Sequence, residues 1–138
     1  MPLETIYRKH EGIEILDLKG HLTFGQEDLD FRNELGRLVQ AGKIRVVLNF
    51  SDLRELDATG LGTLLLALEK LRKAGGNLAI FNMNPSHIEL LVEAQLETAF
   101  EVFQTEQDAI DSFFPEREVK RYDILEFVKS LELKHPKS

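Results

Sequence analysis

The sequence predicts a single α/β domain, with a mostly parallel central sheet, an N-terminal β-hairpin and about four helices, followed by a C-terminal helical extension. Three observations carry that expectation. Short apolar runs of strand length alternate with segments of helical period, and such alternation calls for parallel strands joined by crossover helices. One run, residues 44–50, is broken only by Arg45 and Asn49, as in a strand covered on both faces. Finally, 138 residues of which 43% are hydrophobic suffice for one core.

The elements follow in order. Residues 3–8 and 13–18 are β-rich runs separated by Lys9-His10-Glu11-Gly12, a polar break able to turn them back as a hairpin. Ile13 and Ile15 alternate with Glu14, whereas Leu16 and Leu18 fall on the opposite parity, so either a bulge intervenes or both faces are covered. Gly20 is expected to end the second strand. From Glu27 the period becomes helical, with Phe31, Leu35, Leu38 and Val39 on one side and Gly42 as the stop. Residues 44–50 form the central strand and residues 51–56 the connection after it. Leu61, Leu64, Leu65, Leu68 and Leu71 then make a leucine face, and Lys70, Arg72 and Lys73 suit the negative dipole end before Gly75-Gly76.

Residues 78–81 make a brief strand. Asn84 and Pro85 read as an N-cap with Pro at the first helical position, opening a helix with Ile88, Leu91 and Val92 inward. Residues 100–103 form the last strand. Thr105 with Asp108 resembles a capping box for a final helix whose apolar side is Ile110, Phe113 and Phe114, closed by Pro115. The chain divides into a domain over 1–114 and a charged linker with a helix over 115–138. In the latter Tyr122, Leu125, Val128 and Leu131 recur at helical spacing beside Ile124 and Phe127. A helix over 122–133 is expected to pack on the domain, on a second copy or on a partner.

Charge and composition exclude several functions. Seventeen Lys and Arg against twenty-four Asp and Glu give a net charge of −7, which opposes binding to a phosphate backbone, so no nucleic-acid partner is expected. Absence of cysteine removes disulfides, thiolate catalysis and thiolate metal sites. The N-terminus has no basic flank followed by an apolar stretch, and the longest apolar run in the leucine helix after Thr63 is residues 64–68, so no membrane association and a cytoplasmic location are expected.

Catalytic and cofactor chemistry finds little support. His10, His21, His87 and His135 lack the spacing of a ligand pair and read as solvated side chains, so no metal is expected. Gly60-Leu61-Gly62 has Leu65 where a dinucleotide fingerprint needs its third glycine, and no Gly-Lys-Ser/Thr follows, so no cofactor is expected. Thr59 beside Asp57 would need a base and an orienting acid to act as a nucleophile, and no histidine is tied to the turn by sequence. The protein is not expected to be an enzyme.

The residues around that turn are the informative ones. Residues 49–66 read Asn-Phe-Ser-Asp-Leu-Arg-Glu-Leu-Asp-Ala-Thr-Gly-Leu-Gly-Thr-Leu-Leu-Leu: a buried strand ends, a helix opens, and Thr59 sits beside Asp57 in a glycine-flanked turn. One of Asp57 and Thr59 is the N-cap. The same place tolerates a phosphoryl group, because free N–H groups and the positive dipole end face outward.

Two N-terminal strands, Gly20-His21-Leu22, a helix, Val46-Val47-Leu48-Asn49-Phe50 and then Leu56-Asp57-Ala58-Thr59-Gly60-Leu61-Gly62 together resemble the STAS domain, and within it the free-standing anti-sigma factor antagonists, over residues 3–114. The resemblance implies a partner-switching cycle. The unmodified protein binds an anti-sigma factor that is a serine/threonine kinase of histidine-kinase-like fold. That partner phosphorylates the second hydroxyl position of the turn, here Thr59, and a serine/threonine phosphatase reverses the step. Partner contact is implied for Thr23, Asp57, Ala58, Thr59, Gly60 and Leu61. Three positions depart from the usual pattern: Ala58 replaces the first hydroxyl, Asn49 stands where Asp commonly ends the central strand, and Thr23 stands where Asp often follows Gly-x-Leu. A non-switching STAS scaffold or accessory subunit of a larger signalling or transporter assembly is the alternative, and a homodimer is compatible with either.

Overall fold

A computed structural model describes residues 3–121, 123, 124 and 126–129. Strands β1 (Glu4–His10) and β2 (Ile13–Leu22) form the antiparallel hairpin. Its two-residue turn places Glu11 and Gly12 at φ 52° and 79°, a pair of positive angles that matches the twist of flanking strands. β2 runs past Gly20 to Leu22, which corrects the expected end at that glycine. Gly20 takes φ 108°, a region closed to most side chains, and the register against the next strand slips there. Of the two explanations of the parity change, burial on both faces holds: Ile13 and Ile15 lie in one core and Leu16 and Leu18 in another, while the register is unbroken from Ile15 to Leu16 and slips only later, between Asp17 and Lys19 and at Gly20.

Helix α1 (Gln26–Gln40) buries Phe31, Leu35 and Leu38. β3 (Arg45–Leu56) is central but longer than expected, because residues 51–56 continue the strand instead of connecting it. They pair with β2 alone, from Lys19↔Asp52 to Leu22↔Leu56, whereas pairing with β4 (Asn77–Phe81) stops at Asn49↔Phe81. β2 and β3 therefore project beyond the rest of the sheet as a two-stranded ribbon, and helix α2 (Ala58–Lys73) starts from its tip. After β4 come α3 (Pro85–Glu93), β5 (Glu101–Phe103) and α4 (Glu106–Asp111).

The sheet order is β1-β2-β3-β4-β5, parallel from β2 onward. Successive crossovers of one hand place α1, α2 and α3 on the same face, where Leu48, Phe50, Leu64, Leu68, Ile80 and Leu91 share one core. The opposite face carries a smaller core of Ile13, Ile15, Val47, Phe81 and Phe103 under α4. Val46 and Leu48 point one way and Val47 the other, which is why this stretch is continuously apolar.

The segment after α4 lies against the domain. Phe113, Phe114 and Val119 pack on the smaller core, whereas Ile124 and Phe127 pack on the larger one. Between them Arg121 approaches Glu101 at 3.7 Å, so the chain passes around the β5 edge from one face to the other. Arg117 reaches Glu11 and Asp111, each at 2.8 Å, and stacks on Phe114. Ile124 and residues 126–129 are helical; the remainder of the helix expected over 122–133 lies outside the described residues.

Candidate functional site

Asp57 leaves β3 with extended backbone and is the N-cap of α2. Its Oδ1 accepts the Gly60 N–H at 2.8 Å, its Oδ2 accepts the Phe24 N–H at 2.9 Å, and its carbonyl accepts the Leu61 N–H at 2.9 Å. With both carboxylate oxygens engaged by amides, Asp57 holds the loop between β2 and α1 against the first turn of α2. Thr59 is then the second helical residue, half-buried, beside an exposed Ala58 and across from a half-buried Thr23.

Two residues expected at the partner surface face inward. Leu61 is only 2% exposed and belongs to the larger core. Gly60 is buried, and a Cβ there would lie 2.2 Å from the Leu22 carbonyl oxygen, so only glycine lets α2 start this close to β2. They set where the turn sits, while Thr23, Asp57, Ala58 and Thr59 form its outer surface.

One turn further along α2, Thr63 is buried and donates its hydroxyl to the buried Asp28 of α1. Arg32 spans the pair, 3.2 Å from Asp28 and 3.0 Å from Thr63. A carboxylate out of water needs such partners, and this one ties α1 to α2 directly below Thr59. The residue that sequence reasoning missed is Phe24, which is 80% exposed beside the turn. Its signal was an aromatic in the short loop between Leu22 and Gly25.

The departures from the familiar pattern acquire a local reason at Asn49. Its amide nitrogen donates to Asp17 at 2.8 Å, and its oxygen accepts from the N–H and hydroxyl of Ser51. Asp17 in turn holds Arg8 through two bonds of 2.7 and 2.9 Å. That guanidinium, helped by Asn49 and opposed by burial, keeps the Asp17 carboxyl below the usual carboxylate range. An aspartate at position 49 would press a second carboxylate on Asp17, whereas the amide donates to it.

His87 is a correction: expected in solvent, it is 3% exposed. Its Nε2 donates to the Arg54 carbonyl at 3.2 Å, its ring meets Phe50 edge-on at 6.2 Å, and its Nδ1 is buried without a partner. Burial lowers its pKa from the ordinary value, so the neutral ring is the stable form. Among the described residues no group of His, Asp and Glu is arranged to hold a metal, and no helix is long and apolar enough to cross a membrane.

Together these features define a small α/β domain that offers a capped helix N-terminus, bearing one hydroxyl, at the tip of a strand ribbon. Residues 4–109 match the model of the STAS domain, and the chain belongs to that family. It is 26% identical over 111 residues to the anti-sigma F factor antagonist of Paenibacillus polymyxa, covering 80% of this chain and 94% of that protein. Its fold matches an anti-sigma factor antagonist from Mycobacterium paratuberculosis with a TM-score of 0.71 at 21% identity, over 80% of this chain and 93% of that one. It also matches the phosphorylated form of the Bacillus cell fate determinant SpoIIAA, with a TM-score of 0.62 at 20% identity over 79% and 98% of the two chains.

Proposed function

We propose that this chain is an anti-sigma factor antagonist. Unmodified, it binds a histidine-kinase-like anti-sigma factor through the first turn of α2 and the loop before α1. Phosphorylation of Thr59 by that partner releases it, and a serine/threonine phosphatase restores the binding form. The observation that carries this reading is the placement of Thr59 at the second position of a capped helix, half-exposed at the end of a strand.

The chemistry of the turn suits both states. Gly60 and Leu61 donate to Asp57, while among the described residues the Ala58 and Thr59 amides have no partner. A phosphoryl group on Thr59 would bring about −1.5 to −2 charges to two free N–H groups at the positive end of a helix, so the fold persists. Binding is lost at the interface, where a surface shaped for a neutral hydroxyl meets an unpaired dianion, at a cost of several kcal/mol.

The test is incubation with the host's histidine-kinase-like anti-sigma factors and ATP, followed by mass spectrometry. One phosphate on Thr59, absent from a Thr59→Ala variant with unchanged thermal unfolding, is expected; phosphate at another residue, or none with any such partner, overturns the switch. The non-switching scaffold has Ala58 in its favour, since the turn keeps one hydroxyl where the pattern commonly has two. It predicts a partner affinity that kinase and ATP leave unchanged.

A further inference from the structure

We propose that the outer edge of β1 pairs with the same edge of a second copy, joining two five-stranded sheets into one across a two-fold axis at Ile6. The pairing is independent of the switch proposed above, since no residue of the Thr59 turn takes part.

The sheet has two edges, and only one is closed. β5 is three residues long, and the segment after α4 passes around it. β1 is seven residues long, its register against β2 runs without a slip, and every residue but Thr5 is exposed. Edge strands are commonly blunted by bulges, prolines or brevity, and β1 has none of these. The two-residue turn makes His10 and Ile13 a hydrogen-bonded pair, so alternation commits the N–H and C=O groups of residues 4, 6, 8 and 10 to β2. Those of Thr5, Tyr7 and Lys9 point outward, and among the described residues they have no partner.

The side chains select the register that a second copy takes. Tyr7 bonds Glu34 of α1 and Thr5 faces the same helix, whereas Arg8 bonds Glu106 of α4, so odd positions share the α1 face and even positions the other. A two-fold axis normal to the joint sheet opposes residues of equal parity. Centred on Ile6, it sets Ile6 against Ile6, Glu4 against the second copy's Arg8, and Thr5 against its Tyr7. Centred on Tyr7 or on Thr5, it sets Ile6 against a charge, Arg8 or Glu4. Of the three, the Ile6 centre alone matches apolar with apolar and acid with base. There the outward groups make Thr5 and Tyr7 the hydrogen-bonded pairs, and the two Ile6 residues form a close pair between them, with Cα atoms about 4.5 Å apart.

Exposure and charge fit the same register. Ile6 and Tyr7 are each 49% exposed, the two large apolar side chains that β1 leaves open. Glu4 has no ion-pair partner among the described residues, and Arg8, held by Asp17 and Glu106, keeps its Nη1 unbonded. On the α1 face, Glu27, Asp30 and Glu34 line a depression with Leu3 and Thr5, and among the described residues no cation pairs with them. The second copy's Lys9 arrives opposite Leu3, beside those carboxylates. Opposite charges facing across neighbouring strands stabilise a pairing that like charges would oppose. Since β5 is covered, each copy has one open edge, and assembly closes at two.

The chain has no cysteine, so Ile6→Cys introduces a single thiol on the axis. Under mild oxidation it is expected to form an intermolecular disulfide at least about tenfold faster than the exposed Leu66→Cys on α2, because residues on the axis bring two Cβ atoms within disulfide reach. Equilibrium sedimentation of the wild type should show dimer growing with concentration between about 10 µM and 1 mM, the weak regime of a small interface. Thr5→Pro deletes a donor that the single chain leaves unused, and should raise the dimer dissociation constant at least about tenfold with an unchanged circular-dichroism spectrum. Ile6→Lys opposes two ammonium groups on the axis and should also weaken the dimer, by an amount that shrinks as salt rises. Three results overturn the proposal: a wild type monomeric up to about 1 mM, disulfide formation in Ile6→Cys no faster than in Leu66→Cys, or a dimer that survives both Thr5→Pro and Ile6→Lys.

Discussion

Helices α2 and α3 open alike, at the carboxyl ends of neighbouring parallel strands. In each, an acidic or amide side chain caps the first turn, Asp57 to the Gly60 N–H and Asn84 to the Ser86 N–H. In each, the second helical residue carries a hydroxyl, Thr59 or Ser86. The two differ in what else they hold. The Ser86 hydroxyl donates back to Asn84 at 2.9 Å, Pro85 fills the first position, and all three residues are exposed. Asp57 spends its second oxygen on Phe24, Gly60 backs onto Leu22, and Thr63 reaches Asp28 on α1. A dipole end with a hydroxyl is thus common currency in this fold; attachment to neighbouring elements is what distinguishes one turn.

Partner binding should separate the turns most widely. Thr59→Glu is expected to cost about 2–5 kcal/mol of affinity for the anti-sigma factor, the scale of an uncompensated charge in an interface, whereas Ser86→Glu should change it by less than about 0.5 kcal/mol. Calorimetric titration of both decides, and equal losses would break the contrast.

Next in size is backbone approach. Gly60→Ala forces a Cβ toward the Leu22 carbonyl and should cost about 1–3 kcal/mol of stability. Gly62→Ala, two residues on and facing open space, should instead stabilise by about 0.5–1 kcal/mol. Urea denaturation of the pair reads both signs.

Loss of the caps comes third. Asn84→Ala should cost about 1 kcal/mol, and Asp57→Ala up to about 2 kcal/mol, because it also strands the Phe24 amide. Hydrogen exchange at Phe24 should rise in Asp57→Ala and stay unchanged in Asn84→Ala.

The smallest effect concerns pH and His87, whose ring bonds the Arg54 carbonyl. Burial depresses its folded pKa below the unfolded value near 6.5, so the unfolded chain takes up the proton first. Stability contributed by the neutral ring is complete above pH ~6.5 and is lost as pH falls from there through the folded pKa. Denaturant midpoints measured downward from pH 7 should fall less steeply for His87→Leu than for wild type.

The leucine face of α2, the Asn84–Pro85 start and the central strand were legible because one signal dominated each. Where two signals competed, the stronger local one misled. Ser51, Asp52, Arg54 and Glu55 look like a loop, yet the stretch continues the strand, with Asp52 and Glu55 paired to β2 on a ribbon whose outer side is solvent, and Leu53 is buried between exposed neighbours. Gly20 looks like a stop, but a strand can pass through a positive φ if the register slips. His87 was judged by its type, although it stands beside Ile88 and four residues before Leu91, on the helix's buried face. At the site, the position of Thr59 was readable from the turn, while the inward placement of Leu61 followed from the same leucine periodicity that defined the helix. The exposure of Phe24 beside the turn depends on how the loop entering α1 is tied to Asp57, a contact across 33 positions of sequence that no local pattern encodes.

Arg117 joins Glu11 across 106 positions of sequence, fastening the opening hairpin to the stretch that closes α4. A ribosome makes the hairpin early and Arg117 late, so a nascent chain can display its strands long before this clasp shuts. Closure of the domain is thereby deferred until residue 117 has been made, and a copy terminated before it would lack the fastening between the hairpin and the stretch after α4.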